Sequence, residues 1–129
     1  MRFIDPDADL PVGTLLLDST QDVTRMAAEL TGRTNVALQF AKWTDGRGYS
    51  QAVLLRARLR YTGDIIATGD VLADMLPLLR RCGFSAVRLR ADQRLESAQR
   101  ALGFFDGRVD SRVDNHYQRS TLAPAVEPA

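Results

Sequence analysis

The feature that most constrains the fold is a strand–helix unit that occurs four times along the chain. Each unit begins with a short apolar run and continues into a segment whose apolar residues recur at helical spacing. Short polar connections join the units, and this alternation is typical of a parallel sheet with crossover helices. The predicted strands are residues 13–17, 36–40, 64–68 and 86–89. The sequence therefore predicts an α/β fold of four successive βα units.

Two strand orders are compatible with right-handed crossovers. One is a consecutive, half-barrel-like parallel sheet. The other is an open, flavodoxin-like sheet with helices on both faces. The sequence leaves both orders open. A half barrel would leave one face of the sheet uncovered, and this would favour a homodimer.

Capping residues, glycine and proline place the ends of the predicted helices. Ser19 or Thr20 is suited to cap the first helix, and Gly83 is suited to end the third in a Schellman motif. The second helix is predicted over residues 50–60. Pro77 lies inside the third helix, where proline removes a backbone hydrogen bond and clashes with the preceding turn. We therefore expect a kink at Pro77 or a helix that starts anew there.

The chain is predicted to form one α/β domain over residues 1–119, followed by a disordered tail over residues 120–129. Residues 1–12 contain three aspartates and two prolines, and we expect an irregular lead-in there. This lead-in does not resemble a signal peptide. No apolar run approaches the roughly 18 residues of a membrane span. The cytoplasm is therefore the expected location.

Charge and cysteine content argue against several classes of function. The formal net charge is +1, from 17 basic and 16 acidic residues, which gives no electrostatic basis for binding nucleic acid or a membrane surface. Cys82 is the only cysteine, so an internal disulfide, a CxxC pair and a cysteine-only iron–sulfur site are excluded. His116 has no partner at metal-ligand spacing. With no dinucleotide fingerprint or haem motif either, we expect neither a metal nor another cofactor.

In parallel sheets ligands gather at the carboxyl ends of the strands, so polar residues there are candidate site residues. They are Asp18, residues 42–50, residues 68–70 with Gly69 and Asp70, and residues 90–92 with Asp92. Asp70 and Asp92 also stand where helices begin, and helix capping explains them without any chemistry. Lys42 is the only lysine beside sixteen arginines. Coding bias explains this, as does a site that needs a compact ammonium group.

The strongest candidate is the loop between the second strand and the second helix. Its residues are Thr44, Asp45, Gly46, Arg47, Gly48, Tyr49 and Ser50. The glycines permit close backbone approach, the helix start offers free N–H groups, and Arg47 suits a bidentate clamp on sulfate, phosphate or carboxylate. The alternative is structural: Asp45 ties the loop's own backbone, and Arg47 pairs with Asp45 or Asp70. The neighbouring Trp43 is interpreted as a core aromatic.

Three separated stretches resemble a known bacterial family. They are residues 42–52 with the motif TDGRGYS, residues 61–63 with 68–72, and residues 80–84. In this order they resemble a family of unknown function found mainly in proteobacteria. Its members are usually encoded beside assimilatory sulfite reductase and are often described as oxidoreductases of sulfite reduction. Pro77 departs from the family, in which an aromatic or aliphatic residue is expected. The resemblance implies a pathway but no catalytic residues.

The resemblance implies an accessory protein of assimilatory sulfite reduction whose TDGRGYS loop binds a small anion or a partner, such as sulfite reductase or another sulfur-assimilation protein. A second hypothesis is a small enzyme in which Lys42, Asp45 or Asp70 acts as acid or base on a bound anion. An oxidoreductase would need an electron carrier. The sequence still permits a flavin, because a flavin can bind without a sharp sequence motif. A third hypothesis is a non-catalytic scaffold that docks on sulfite reductase.

Overall fold

Five parallel strands form one sheet in the order β1-β5-β4-β3-β2. The computed structural model describes residues 1–106. The strands are β1 Arg2–Ile4, β2 Leu15–Asp18, β3 Asn35–Phe40, β4 Asp64–Gly69 and β5 Ala86–Arg88. The four predicted strands are β2 to β5, and they lie side by side in chain order. The α/β prediction is therefore confirmed, with the consecutive strand order rather than the flavodoxin-like one.

Four α-helices follow strands β2 to β5. They are α1 Ala27–Leu30, α2 Arg47–Ala57, α3 Leu76–Cys82 and α4 Leu95–Asp106. Short 3-10 turns, Val23–Arg25 and Ala73–Met75, lead into α1 and α3. Within the described part of the chain, no helix has both the length and the apolar character needed to cross a membrane.

The predicted helix ends are partly right. Pro77 falls in the first turn of α3, where a missing N–H costs nothing, so the helix does start anew there. Gly83 ends α3 at φ 115°, and the Phe84 N–H donates to the Leu79 carbonyl at 3.0 Å, which confirms the Schellman motif. The first helical segment is shorter than predicted. Its cap is Asp22, whose carboxylate accepts from the backbone of the following turn, and not Ser19 or Thr20.

The lead-in is not wholly irregular, because its residues Arg2–Ile4 form β1 on the free edge of β5. The Arg2 guanidinium lies 3.1 Å from the Asp64 carboxylate, and the Arg2 N–H donates to the Ser85 carbonyl at 3.0 Å. A strand of three residues is too short to show periodicity, so only its pairing partner reveals it. The fold therefore has a fifth strand that the sequence pattern did not predict.

The main core lies between the sheet and the helices. Leu38 and Phe40 of β3 point into it and pack with Leu55 of α2 and with Phe84, all nearly fully buried. Alternation along each strand sends the neighbouring residues to the opposite face. The helices therefore cover one face of the sheet.

The N-terminal segment, residues 5–12, contributes to the cover of the second face. Ala37, Ile66 and Ala86 are fully buried on this face, with Leu10 packed against them. Leu16, towards the β2 edge, stays 49% exposed. The expected uncovered face is therefore only partly present in one copy, and the homodimer stays a prediction. The predicted domain end at residue 119, the tail over 120–129 and His116 lie outside the described residues.

Candidate functional site

The loop that carries the TDGRGYS motif lies at the carboxyl edge of the sheet, between the ends of β2 and β4. This position follows from strand order, because β3 pairs with both of these neighbours. Helix α2 begins at Arg47, three residues earlier than predicted, so the motif spans a tight turn and the first helical turn. The Asp45 carboxylate accepts from the Arg47 backbone N–H at 3.0 Å and stabilises that early start.

Asp45 and Arg47 form a bidentate ion pair within the loop. The Arg47 Nε and Nη2 each donate to one oxygen of Asp45 at 3.0 Å. The Asp45 side chain is only 13% exposed, whereas that of Arg47 is 64% exposed. The Ser19 side chain lies close enough to Asp45 to lower the pKa of its carboxyl group, and Asp18 lies close enough to act on Arg47 electrostatically. The pair thus faces the end of β2 and holds a guanidinium in a fixed position at the surface.

Asp70 anchors the other side of the loop. Its Oδ2 accepts from the Trp43 N–H at 2.8 Å, and its Oδ1 accepts from Arg90 Nη1 at 2.6 Å. Arg90 also donates to both oxygens of Asp92, at 2.6 and 2.8 Å. Asp70 and Asp92 were interpreted as helix caps. Their carboxylates instead bind Arg90, so Asp70 joins the loop to the end of β5.

The two clusters remain separate. Within residues 1–106, no hydrogen bond or ion pair links Asp45 or Arg47 to Asp70. Lys42 is exposed and its ammonium makes no ion pair in this part of the chain. The candidate residues therefore share one edge of the sheet but do not converge on a single pocket.

The remaining loop residues divide between surface and core. Thr44 and Ser50 are exposed, and Tyr49 packs edge-on against Phe40 with ring centroids 5.4 Å apart. Trp43 is 52% exposed, so its interpretation as a core aromatic was wrong. Its backbone is held by Asp70 while its indole remains at the surface.

Hydrogen bonds from arginine set the protonation state of the acids. The Arg47 side chain, then its backbone N–H, and then Ser19 hold the pKa of Asp45 well below its usual range. Arg90 lowers the pKa of Asp70, and the Trp43 N–H lowers it further. A carboxylate so stabilised is a weak base and carries no proton near neutral pH. The geometry suits recognition better than proton transfer.

The lowered pKa values predict an acid-sensitive fold. A carboxyl group with a lowered folded-state pKa contributes stability above its unfolded pKa of about 3.9, and this is lost as pH falls through the folded value. We expect urea midpoints to be nearly flat from pH 6 to 8 and to fall steeply below about pH 4. The double variant Asp45→Asn/Asp70→Asn should show a shallower fall. Asp74→Asn is the control, because Asp74 is exposed and makes no ion pair in the described chain. A wild-type slope in the double variant would contradict this prediction.

A model of a bacterial protein family of unknown function, DUF934, matches residues 14–121. The chain belongs to this family. The DUF934 match includes β2 to β5 and every candidate residue of the loop, whereas β1 precedes it. No curated protein and no solved structure matches the chain.

Gln51 lies beside the candidate loop, and the sequence analysis did not identify it as a site residue. It is 5% exposed, and its amide nitrogen donates to the carbonyls of Asp18 at 2.8 Å and Gln21 at 3.0 Å. It thereby fixes the β2 end against α2. The available signal was its place four residues before Leu55 on the apolar side of the helix. Within the described residues, no three His, Cys, Asp or Glu side chains are grouped as metal ligands would be.

Proposed function

We propose that this chain is an accessory protein of assimilatory sulfite reduction and that its loop, residues 44–50, binds an anionic ligand or a protein partner. The pathway rests on the resemblance of residues 42–52, 61–63 with 68–72, and 80–84 to the family encoded beside sulfite reductase. The binding role rests on the loop's geometry. Sulfite reductase, or another protein of sulfur assimilation, is the proposed partner.

The observation that carries the binding role is the pair of exposed side chains on an anchored backbone. Arg47 is 64% exposed although Asp45 orients it, and Trp43 is 52% exposed although Asp70 holds its N–H. Tryptophan and arginine are the residue types that most often dominate binding energy at protein interfaces. A pre-ordered loop also loses less conformational entropy on binding. An acid–base enzyme is less well supported, because Asp45 and Asp70 are both engaged by arginine.

Growth of a deletion strain tests the pathway. We expect the strain to grow poorly on sulfate or sulfite as sole sulfur source and normally on cysteine. Equal growth on all three sources would contradict the assignment to sulfite assimilation.

Complementation of that strain tests the loop. Arg47→Ala and Trp43→Ala should lower the melting temperature only slightly, because Trp43 is half exposed and a surface ion pair such as Arg47–Asp45 contributes little to stability, and both should fail to restore growth. Arg47→Lys keeps the positive charge but loses the planar guanidinium group, so it separates the contribution of charge from that of bidentate hydrogen bonding. Arg58→Ala is the matched control, since Arg58 is an exposed arginine at the opposite end of the same helix. Full complementation by a stable Arg47→Ala protein would show that the loop's arginine is not needed.

The same loop permits a direct test of the partner. Lys42 carries the chain's only lysine amine and adjoins Trp43. An amine-reactive cross-linker should therefore join purified sulfite reductase to a peptide of the wild-type protein that contains Lys42, and this cross-linked peptide should be absent with Lys42→Arg protein. Calorimetric titration with sulfite and sulfate distinguishes a small anion from a protein partner. Heat from the anion without any cross-link would favour the anionic ligand.

A further inference from the structure

We propose that the cleft between the N-terminal segment and the carboxyl ends of β4 and β5 binds a small zwitterion that carries both a carboxylate and an ammonium group, such as a free α-amino acid. The cleft has a volume of about 380 Å³. That size lies at the lower end of the range for small-molecule sites. It opens at the edge of the parallel sheet where ligands usually bind. The inference does not depend on the proposed function, because the loop residues 44–50 do not line this cleft.

Arg88 supplies the positive group on the sheet wall of the cleft. Its Nε donates to Thr68 Oγ1 at 3.0 Å, and its Nη1 donates to the Ala8 carbonyl at 2.8 Å. Both acceptors are neutral, and no carboxylate of the described chain lies within 4.0 Å of this half-buried guanidinium. Partly buried charges in proteins are normally paired. Nη2 makes no hydrogen bond within residues 1–106, so an uncompensated charge and a free donor remain for a carboxylate ligand.

Asp7 and Asp9 supply negative groups to the cleft from the N-terminal segment, on either side of Ala8. Both are exposed in the N-terminal segment, and neither forms an ion pair within the described residues. Two carboxylates in the same cleft as Arg88 disfavour a simple dianion and favour a ligand that also carries an ammonium group. Arg90 also lines the cleft, but its three guanidinium nitrogens already donate to Asp70 and Asp92. Charges of opposite sign without an ion-pair partner in the described residues thus line one cleft, which is the complement of a zwitterion.

Isothermal titration of the full-length protein against the twenty common α-amino acids tests the proposal. We expect at least one of them to bind with millimolar or lower Kd. The analogues of that amino acid without the amino group or without the carboxyl group should each bind about tenfold or more weakly, since each loses one charged contact. Absence of binding by every amino acid at 10 mM, on the order of the weakest useful affinity, would overturn the proposal. Equal binding of either analogue would overturn it as well.

Single and double variants of the residues that line the cleft locate the site. Asp7→Asn/Asp9→Asn leaves the Arg88 contacts with Thr68 and Ala8 intact and should weaken binding about tenfold or more. Arg88→Lys keeps the charge, loses the planar fork and should also weaken binding. Asp74→Asn, far along the chain on an exposed turn, is the matched control and should bind as wild type does. Arg47→Ala should bind normally, which separates this site from the loop. Wild-type affinity in the Asp7→Asn/Asp9→Asn protein would overturn the assignment of the cleft.

Discussion

Replacing Gly69 by alanine is expected to lower the free energy of unfolding by about 3–5 kcal/mol. Gly69 has φ 93°, a conformation that disfavours any residue with a side chain. A Cβ there would overlap the Phe40 carbonyl oxygen and lie 3.1 Å from the Phe40 nitrogen. The Asp70 N–H donates to that same carbonyl at 2.8 Å, so the backbone cannot easily move away. Strain and overlap therefore add at one position.

Urea unfolding followed by circular dichroism measures this loss, with Gly46→Ala as the control. Gly46 has φ −76°, and a Cβ there would meet no atom within 4 Å. Its replacement should change stability by no more than about 0.5 kcal/mol. Equal stability of the Gly69→Ala and Gly46→Ala proteins would contradict the described end of β4, and with it the placement of Asp70.

Replacing Arg56 by methionine should have a comparable effect. Its Nε donates to the Gly83 carbonyl at 3.0 Å, and its Nη1 donates to the carbonyls of Tyr61 at 2.9 Å and Gly63 at 2.7 Å. One half-buried side chain therefore joins α2 to the turn before β4 and to the end of α3. Methionine keeps much of the apolar stem but leaves three carbonyls without this donor. Hydrogen bonds to charged groups contribute about 1.5–3 kcal/mol each and are not additive, so we expect a loss of about 3–5 kcal/mol.

Arg58→Met is the control for Arg56→Met. Arg58 is exposed, lies two residues further along, and its side chain makes no hydrogen bond or ion pair within residues 1–106. Its replacement should change stability by no more than about 0.5 kcal/mol. The urea midpoints of the two proteins measure the difference in their free energies of unfolding, provided that their m-values are equal. If Arg56→Met unfolds at the same urea concentration as Arg58→Met, the three carbonyl contacts do not stabilise the fold.

The three arginines at and just beyond the C-terminal end of α2 show what helical spacing leaves undetermined. Spacing indicates only that Arg56, Arg58 and Arg60 leave the apolar face of the helix. In the structure the half-buried Arg56 holds three backbone carbonyls and Arg58 is a surface residue. Arg60 takes φ 56° in the turn, a conformation that glycine adopts more readily. The carbonyls that Arg56 contacts belong to other segments, which no local pattern contains.

The two glycines of the TDGRGYS motif differ for the same reason. A Cβ on Gly48 would lie 2.6 Å from the Phe40 ring, so glycine is required there for packing. Gly46 has open space around it. In sequence they are equivalent, because each flanks Arg47. The difference between them comes from the Phe40 ring of β3, which packs against Gly48 and not against Gly46.

Local periodicity alone determined the α/β class, the four βα units and the edge at which polar residues collect. These features follow from spacing within single segments and from the fact that parallel strands end at one edge. The tertiary structure decided the strand order, the fifth strand and the partner of each charged group. Arg88 reaches Ala8 across 80 positions and Arg90 reaches Asp70 across 20. Such pairings depend on how complete segments pack in space, and the residues beside them in sequence carry no record of that packing.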